Sequence, residues 1–98
     1  MMEKVRLAPG RYSVKKQRGK GGDSGNVLFP YDYASKRNRD QTDHIGEVWL
    51  GYGVKVMSLS SRTGWLTTPV TKIISVNKDN TEAKVKTESG SIYIIKSF

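Results

Sequence analysis

Glu47-Val48-Trp49-Leu50-Gly51-Tyr52-Gly53-Val54-Lys55-Val56 places Val48, Leu50, Tyr52, Val54 and Val56 on every second position. That spacing is the period of a β-strand with one face against a core. Gly51 and Gly53 fall on the opposite face, where the missing side chains predict a bend or bulge that lets a sheet coil. The same reading extends to the C-terminus. Ser58–Gly64 is a polar loop, and Trp65–Asn77 reads as one long strand. Within it Pro69, lacking an N–H, must lie on an edge or at a bulge. Asn77-Lys78-Asp79-Asn80 has the composition of a hairpin loop. Ala83, Val85 and Thr87 alternate with Lys84, Lys86 and Glu88, which gives one inward and one wet face. Ser89-Gly90 is a tight turn, and the last strand sets Ile92 and Ile94 on one face with Tyr93 and Ile95 on the other. Residues 46–98 therefore predict a mainly β domain, a small antiparallel barrel or a curled sheet.

Residues 1–45 read differently. Lys4–Leu7 and Arg11–Val14 are candidate short strands around a Pro9-Gly10 turn. Lys15 to Asn26 interleaves glycines with Lys15, Lys16, Arg18 and Lys20 and holds no apolar residue, so no core forms there and mobility is expected. Val27–Tyr33 restores apolar content and either packs onto the β unit or stacks on a partner. Ala34–His44 is polar, with room for one helical turn at most. The expectation is a flexible basic N-terminal arm and linker over 1–45, joined to a β domain over 46–98.

Composition bounds the rest. The chain has 98 residues, 36% of them hydrophobic, which is room for one domain with a modest core. It has no cysteine, which excludes disulfides and thiolate metal sites and fits a reducing cytoplasm. No window approaches the ~20 apolar residues of a membrane span, so no membrane association is expected. The net charge of +8 is unevenly placed. Residues 1–22 hold seven cations against Glu3 alone, residues 23–45 balance three cations with four acids, and residues 46–98 hold seven cations and four acids. Clustered positive charge attracts polyanions, although a solvated basic tail would show the same composition.

The pattern Trp65-x-Thr67-Thr68-Pro69-Val70, followed by Thr87-x-x-Gly90-Ser91-x-Tyr93, resembles one found in small bacteriophage-encoded accessory proteins. The resemblance covers roughly residues 46–95 and implies a phage-like source and a β module, with a host-cell cytoplasmic location. By architecture the unit is also similar to SH3-like and KOW-type barrels of translation and transcription factors. An OB-type barrel usually needs more residues than 46–98 provide.

Catalytic patterns fail on spacing and order. Gly22-Asp23-Ser24-Gly25 matches the serine loop of chymotrypsin-like proteases, but the single histidine, His44, follows the serine instead of preceding it. Gly19-Lys20-Gly21-Gly22 lacks the spacing of a phosphate-binding P-loop, although a flexible glycine-lysine loop can wrap a phosphate through backbone N–H groups. His44 beside Asp43 has no second histidine for a metal. The expectation is a non-enzyme without metal or cofactor.

Two binding readings follow. In the first, Arg11, Lys15, Lys16, Arg18 and Lys20 neutralise nucleic-acid phosphates while Tyr12, Tyr31, Tyr33 or an exposed Trp65 stack on bases. Lys36, Arg37, Arg39 and Arg62 add to that set, and Lys55, Lys72, Lys84 and Lys86 extend the track along the β unit. Trp49 and Tyr93 are assigned to the core, since a unit this small needs large side chains to fill it. In the second, the basic arm docks in an acidic groove of a host protein such as a polymerase, nuclease or defence component and orders there. A weaker third reading has the arginines capture a nucleotide-like anion.

Overall fold

The period-two pattern is visible in the burial. In the computed structural model, which describes residues 2–61 and 63–98, Val48, Val54 and Val56 are all closed to solvent. The described residues form ten strands and no helix: β1 (Lys4–Arg6), β2 (Tyr12–Lys16), β3 (Gly22–Gly25), β4 (Val27–Tyr31), β5 (Glu47–Trp49), β6 (Gly53–Met57), β7 (Gly64–Leu66), β8 (Val70–Val76), β9 (Glu82–Thr87) and β10 (Ile92–Ser97). Every strand pairing is antiparallel. The all-β expectation holds. No helix of the described residues is long and apolar enough to cross a membrane.

The strands make three sheets, β1-β5, β3-β2-β10-β9-β8 and β4-β6-β7, and they do not close into a barrel. Gly51 explains part of this. Its φ of +87° is open to glycine at no steric cost, and it turns the chain between β5 and β6. What reads in sequence as one strand is thus two, β5 pairing with β1 and β6 with β4. Trp65–Asn77 divides in the same way. β7 pairs with β6 and β8 with β9, and Thr67-Thr68-Pro69 carries the chain across. Thr67 pins that crossing, since its hydroxyl accepts from Val54 N at 3.0 Å and donates to Thr68 O at 2.7 Å. Pro69 sits between strands, where its missing donor costs no ladder bond.

The expectation of a loose N-terminal arm is corrected by the same pairings. β2 lies inside the five-stranded sheet, between β3 and β10, and β4 pairs with β6. Tyr12 and Val14 alternate inward and join a core of Leu7, Leu28, Val48, Val54, Val56, Val70, Ile73, Ala83, Val85, Tyr93 and Ile95. Gly22 and Gly25 serve close packing here. A Cβ at Gly22 would overlap the carbonyl oxygen of Val14, and one at Gly25 would overlap that of Met57 in the other sheet. β1 and β2 do not pair with each other; each finds a partner distant in sequence. Val27–Tyr33 packs as β4, with Leu28 and Phe29 buried.

The turns follow their composition. Asn77 Oδ1 accepts from Thr81 N at 2.8 Å and Glu82 N at 3.0 Å, closing the β8–β9 hairpin. Gly90, at φ +90°, turns β9 into β10. β8, at the sheet edge, carries two register shifts against β9, between Val70 and Lys72 and between Ile73 and Ser75.

Candidate functional site

The basic residues of the first half gather on a hairpin. β2 and β3 are joined by a tip over residues 17–21, fastened by Lys16 N to Gly21 O at 2.9 Å and by Gln17 N to Ile92 O of β10 at 2.8 Å. Lys15, Lys16 and Lys20 line a depression of about 470 Å3 beside Gly19, Gly21 and Gly22, with Asp23 and Ser24 at its margin. Arg18 borders a neighbouring hollow with the β9–β10 turn at Gly90 and Ser91. Lys16 and Trp65 both press on Gly21, where a Cβ would stand 3.0 Å from the lysine Cδ and 3.1 Å from the indole ring. Trp65 is half-buried and donates its Nε1–H to the Tyr93 hydroxyl at 3.3 Å. It is the aromatic that stands beside the hairpin.

The strand register extends this cluster across the sheet. Ile94 faces Lys15 on one side and Lys84 on the other, Ile92 faces Lys86, and Lys86 faces Lys72. Residues opposite one another share a face of the pleat, and residues two apart along a strand return to it. Lys15, Lys84, Lys86, Lys72 and Lys96 therefore all stand on the solvent side of the five-stranded sheet. Glu82 shares that side and pairs with Lys96 at 3.5 Å. Among the described residues, the other lysine in an ion pair is Lys55, bound to Asp40 at 3.0 Å.

Several expected site residues lie elsewhere. Tyr12 belongs to the core and is 2% exposed, so it cannot stack on a base; burial raises its hydroxyl pKa, and the nearby Arg6 charge opposes that rise. Arg11 is exposed but lies at the opposite end of β2, its backbone paired with Phe98. Tyr31 and Tyr33 belong to the region of the three-stranded sheet and pack edge-to-face with ring centres 4.7 Å apart. Lys55 Nζ stands 5.5 Å from the Tyr31 ring, and the Tyr33 hydroxyl donates to Thr67 O at 2.6 Å. Desolvation raises the Tyr33 pKa, with Tyr31 and Glu88 adding to the rise. Arg39 is tied into its own loop through Ser35 O at 2.9 Å and reaches the Tyr31 hydroxyl at 3.4 Å. Lys36 and Arg37 are exposed in that loop. Arg62 lies outside the described residues. Lys55 leaves the expected track because it projects from the other sheet.

A buried polar centre that sequence reasoning missed surrounds Glu47. Its carboxylate accepts from Arg6 at 3.2 Å, from Trp49 Nε1 at 3.1 Å and meets His44 Nδ1 at 3.1 Å. Burial pushes this carboxyl pKa up, but the hydrogen bonds from Trp49 and His44 and the Arg6 charge outweigh it, so the pKa is lowered. The signal in the sequence was slight: an acid two residues before a tryptophan and three after the single histidine. His44 is thereby engaged as part of the scaffold, and no hydrogen bond joins it to the exposed Ser24 among the described residues. Nor do the described residues hold a group of three metal-ligating side chains.

Comparison with protein-family models, with curated proteins and with solved structures finds no match for this chain.

Proposed function

We propose that the protein is a non-catalytic nucleic-acid-binding accessory protein whose first point of contact is the β2–β3 hairpin. The observation that carries this reading is the convergence of Lys15, Lys16 and Lys20, with Arg18 beside them, on one glycine-lined tip. Glycines let a phosphate approach the backbone, whose N–H groups add to the lysine charges. Half-buried Trp65 stands at the foot of the tip. The phage-like source and cytoplasmic setting belong to the same proposal, resting on the resemblance of residues 46–95 and the cysteine-free composition. An acidic host protein would answer the same charges, but protein interfaces are depleted in lysine and centred on aromatic and arginine side chains. This cluster is mainly lysine.

Fluorescence anisotropy with labelled oligonucleotides over a salt series tests the proposal. Phosphate contacts by Lys15, Lys16, Arg18 and Lys20 alone give a slope of log K against log salt of about −3.6 on duplex DNA, and each further contact steepens it by about 0.9. The triple variant Lys16→Gln, Arg18→Gln, Lys20→Gln should lower the slope by about 2.7 and leave the circular dichroism unchanged, since all three side chains stand outside the core. A flat salt response, or a triple variant that binds as the native chain does, would remove the reading. Capture of a host protein that survives nuclease treatment, with no oligonucleotide binding, would replace it with the protein-partner alternative.

A further inference from the structure

We infer that the ligand is double-helical, and that the solvent face of the five-stranded sheet is its phosphate track. The inference rests on the nucleic-acid reading and names the form of nucleic acid and the surface that holds it. Three observations carry it.

The first is an arrangement that costs the isolated fold. Lys72 and Lys86 stand directly opposite each other on neighbouring strands, and Lys84 and Lys15 flank Ile94 one row away. Like charges placed opposite one another destabilise a sheet. Among the described residues none of these four is in an ion pair, although Glu82 on the same face neutralises Lys96. A bound polyanion supplies the missing counter-charge.

The second is what the face lacks. The side chains among Lys15, Lys72, Lys84 and Lys86 are Ser13, Gln17, Ile92, Ile94 and Ser75, without an aromatic ring; the exposed Phe98, on the same side by its pairing with Arg11, lies beyond Lys96 at the far end of β10. Surfaces that hold single strands combine a basic groove with aromatic platforms for unstacked bases. Here the tyrosines expected to stack are in the core or against the other sheet. A paired helix keeps its bases stacked inside and offers phosphates outside, which is what lysines without rings can hold.

The third is dimension. From Lys15 on β2 to Lys72 on β8 the face crosses three strand intervals, about 14 Å at the usual spacing. That is comparable with the ~12 Å groove across which the two backbones of a duplex face each other. The hairpin tip with Arg18 and Lys20 continues from the same corner, because Gln17 N is bonded to Ile92 O. The contacts are to backbone, so binding is independent of base sequence.

The test is anisotropy with a DNA duplex, an RNA duplex and a single strand of equal length, using the full chain. The duplexes should bind more tightly than the single strand, with little change between two unrelated base sequences. The double variant Lys84→Gln, Lys86→Gln should reduce the duplex salt slope by about 1.8, and Lys72→Gln alone by about 0.9. Circular dichroism and the thermal midpoint report whether these outward-facing substitutions leave the fold intact. The relative affinity of the DNA and RNA duplexes identifies which helix is the ligand. Tighter binding of the single strand overturns the inference. So does a native slope in both sheet variants while the hairpin variant weakens binding, and in each of these cases the hairpin reading stands. Binding of none of the three probes overturns both.

Discussion

The outer faces of the two larger sheets treat their cations in opposite ways. On the three-stranded sheet the connection between β4 and β5 folds back and engages the charges near it: Asp40 takes Lys55, and Arg39 is held by Ser35 and Tyr31. At the end of that connection Glu47 gathers Arg6 and His44. On the five-stranded sheet Lys15, Lys72, Lys84 and Lys86 project in register without an ion pair among the described residues, and Glu82 is taken by Lys96. Formal charge therefore says little about where a polyanion lands. Cations satisfied within the chain are spent on the fold, and those left facing solvent set the external field.

The contact between these sheets is the first place to break the contrast. Gly25 of β3 lies against the Met57 backbone of β6, and Gly25→Val forces the two apart. A loss of about 3 kcal/mol is expected in urea unfolding, the upper end for overpacking. A variant of native stability would mean that the sheets yield easily at this junction.

Glu47 sharpens it next. Its folded-state pKa is lowered from the ordinary value of 4.5, so the stability it contributes is complete above that value. It is lost as the pH falls through the lowered folded pKa, because the unfolded chain then binds the proton more readily. Native protein should lose stability as the pH falls below about 4.5, and Glu47→Gln should flatten this part of the curve. Removing the carboxylate also leaves Arg6 and His44 without their charged acceptor, at a cost of about 2 kcal/mol near neutral pH. Chemical unfolding at a series of pH values reads both effects.

The smallest effect is the sharpest comparison. Lys36→Gln, Arg37→Gln, Arg39→Gln removes as many charges as the hairpin variant but from the loop beside the three-stranded sheet. Oligonucleotide affinity should stay within about twofold of native, since distant surface charges are largely screened at physiological salt. A loss equal to that of the hairpin variant would show that total charge, and not its placement, governs binding.

Period-two alternation and turn chemistry made the second half legible. The strand faces around Val54, Val85 and Ile95, the Asn77–Asn80 loop and the Ser89-Gly90 turn all follow from local residue preferences. Alternation does not say which sheet a strand joins, so the corners at Gly51 and Thr67–Pro69 were hidden inside apparently continuous strands. The first half was harder for a related reason. Gly22–Gly25 has no apolar residue, and its place is set by how closely Val14 and Met57 approach it, which is a tertiary fact. The same limit applied to the site. Lys15, Lys16, Arg18 and Lys20 were visible as a cluster, while the alignment of Lys72, Lys84 and Lys86 with Lys15 depends on β2 lying beside β10, a pairing between the two ends of the chain.

The two register shifts in β8 bear on how this protein behaves when crowded. An outermost strand with an unbroken ladder is a template on which another copy can dock and a fibril can grow. Extra residues at Thr71 and Ile74 bend the ladder twice within seven residues, so successive donors and acceptors no longer point along one line. Lys72 adds repulsion toward an approaching twin. The β8 margin thereby resists pairing with a second copy of the chain.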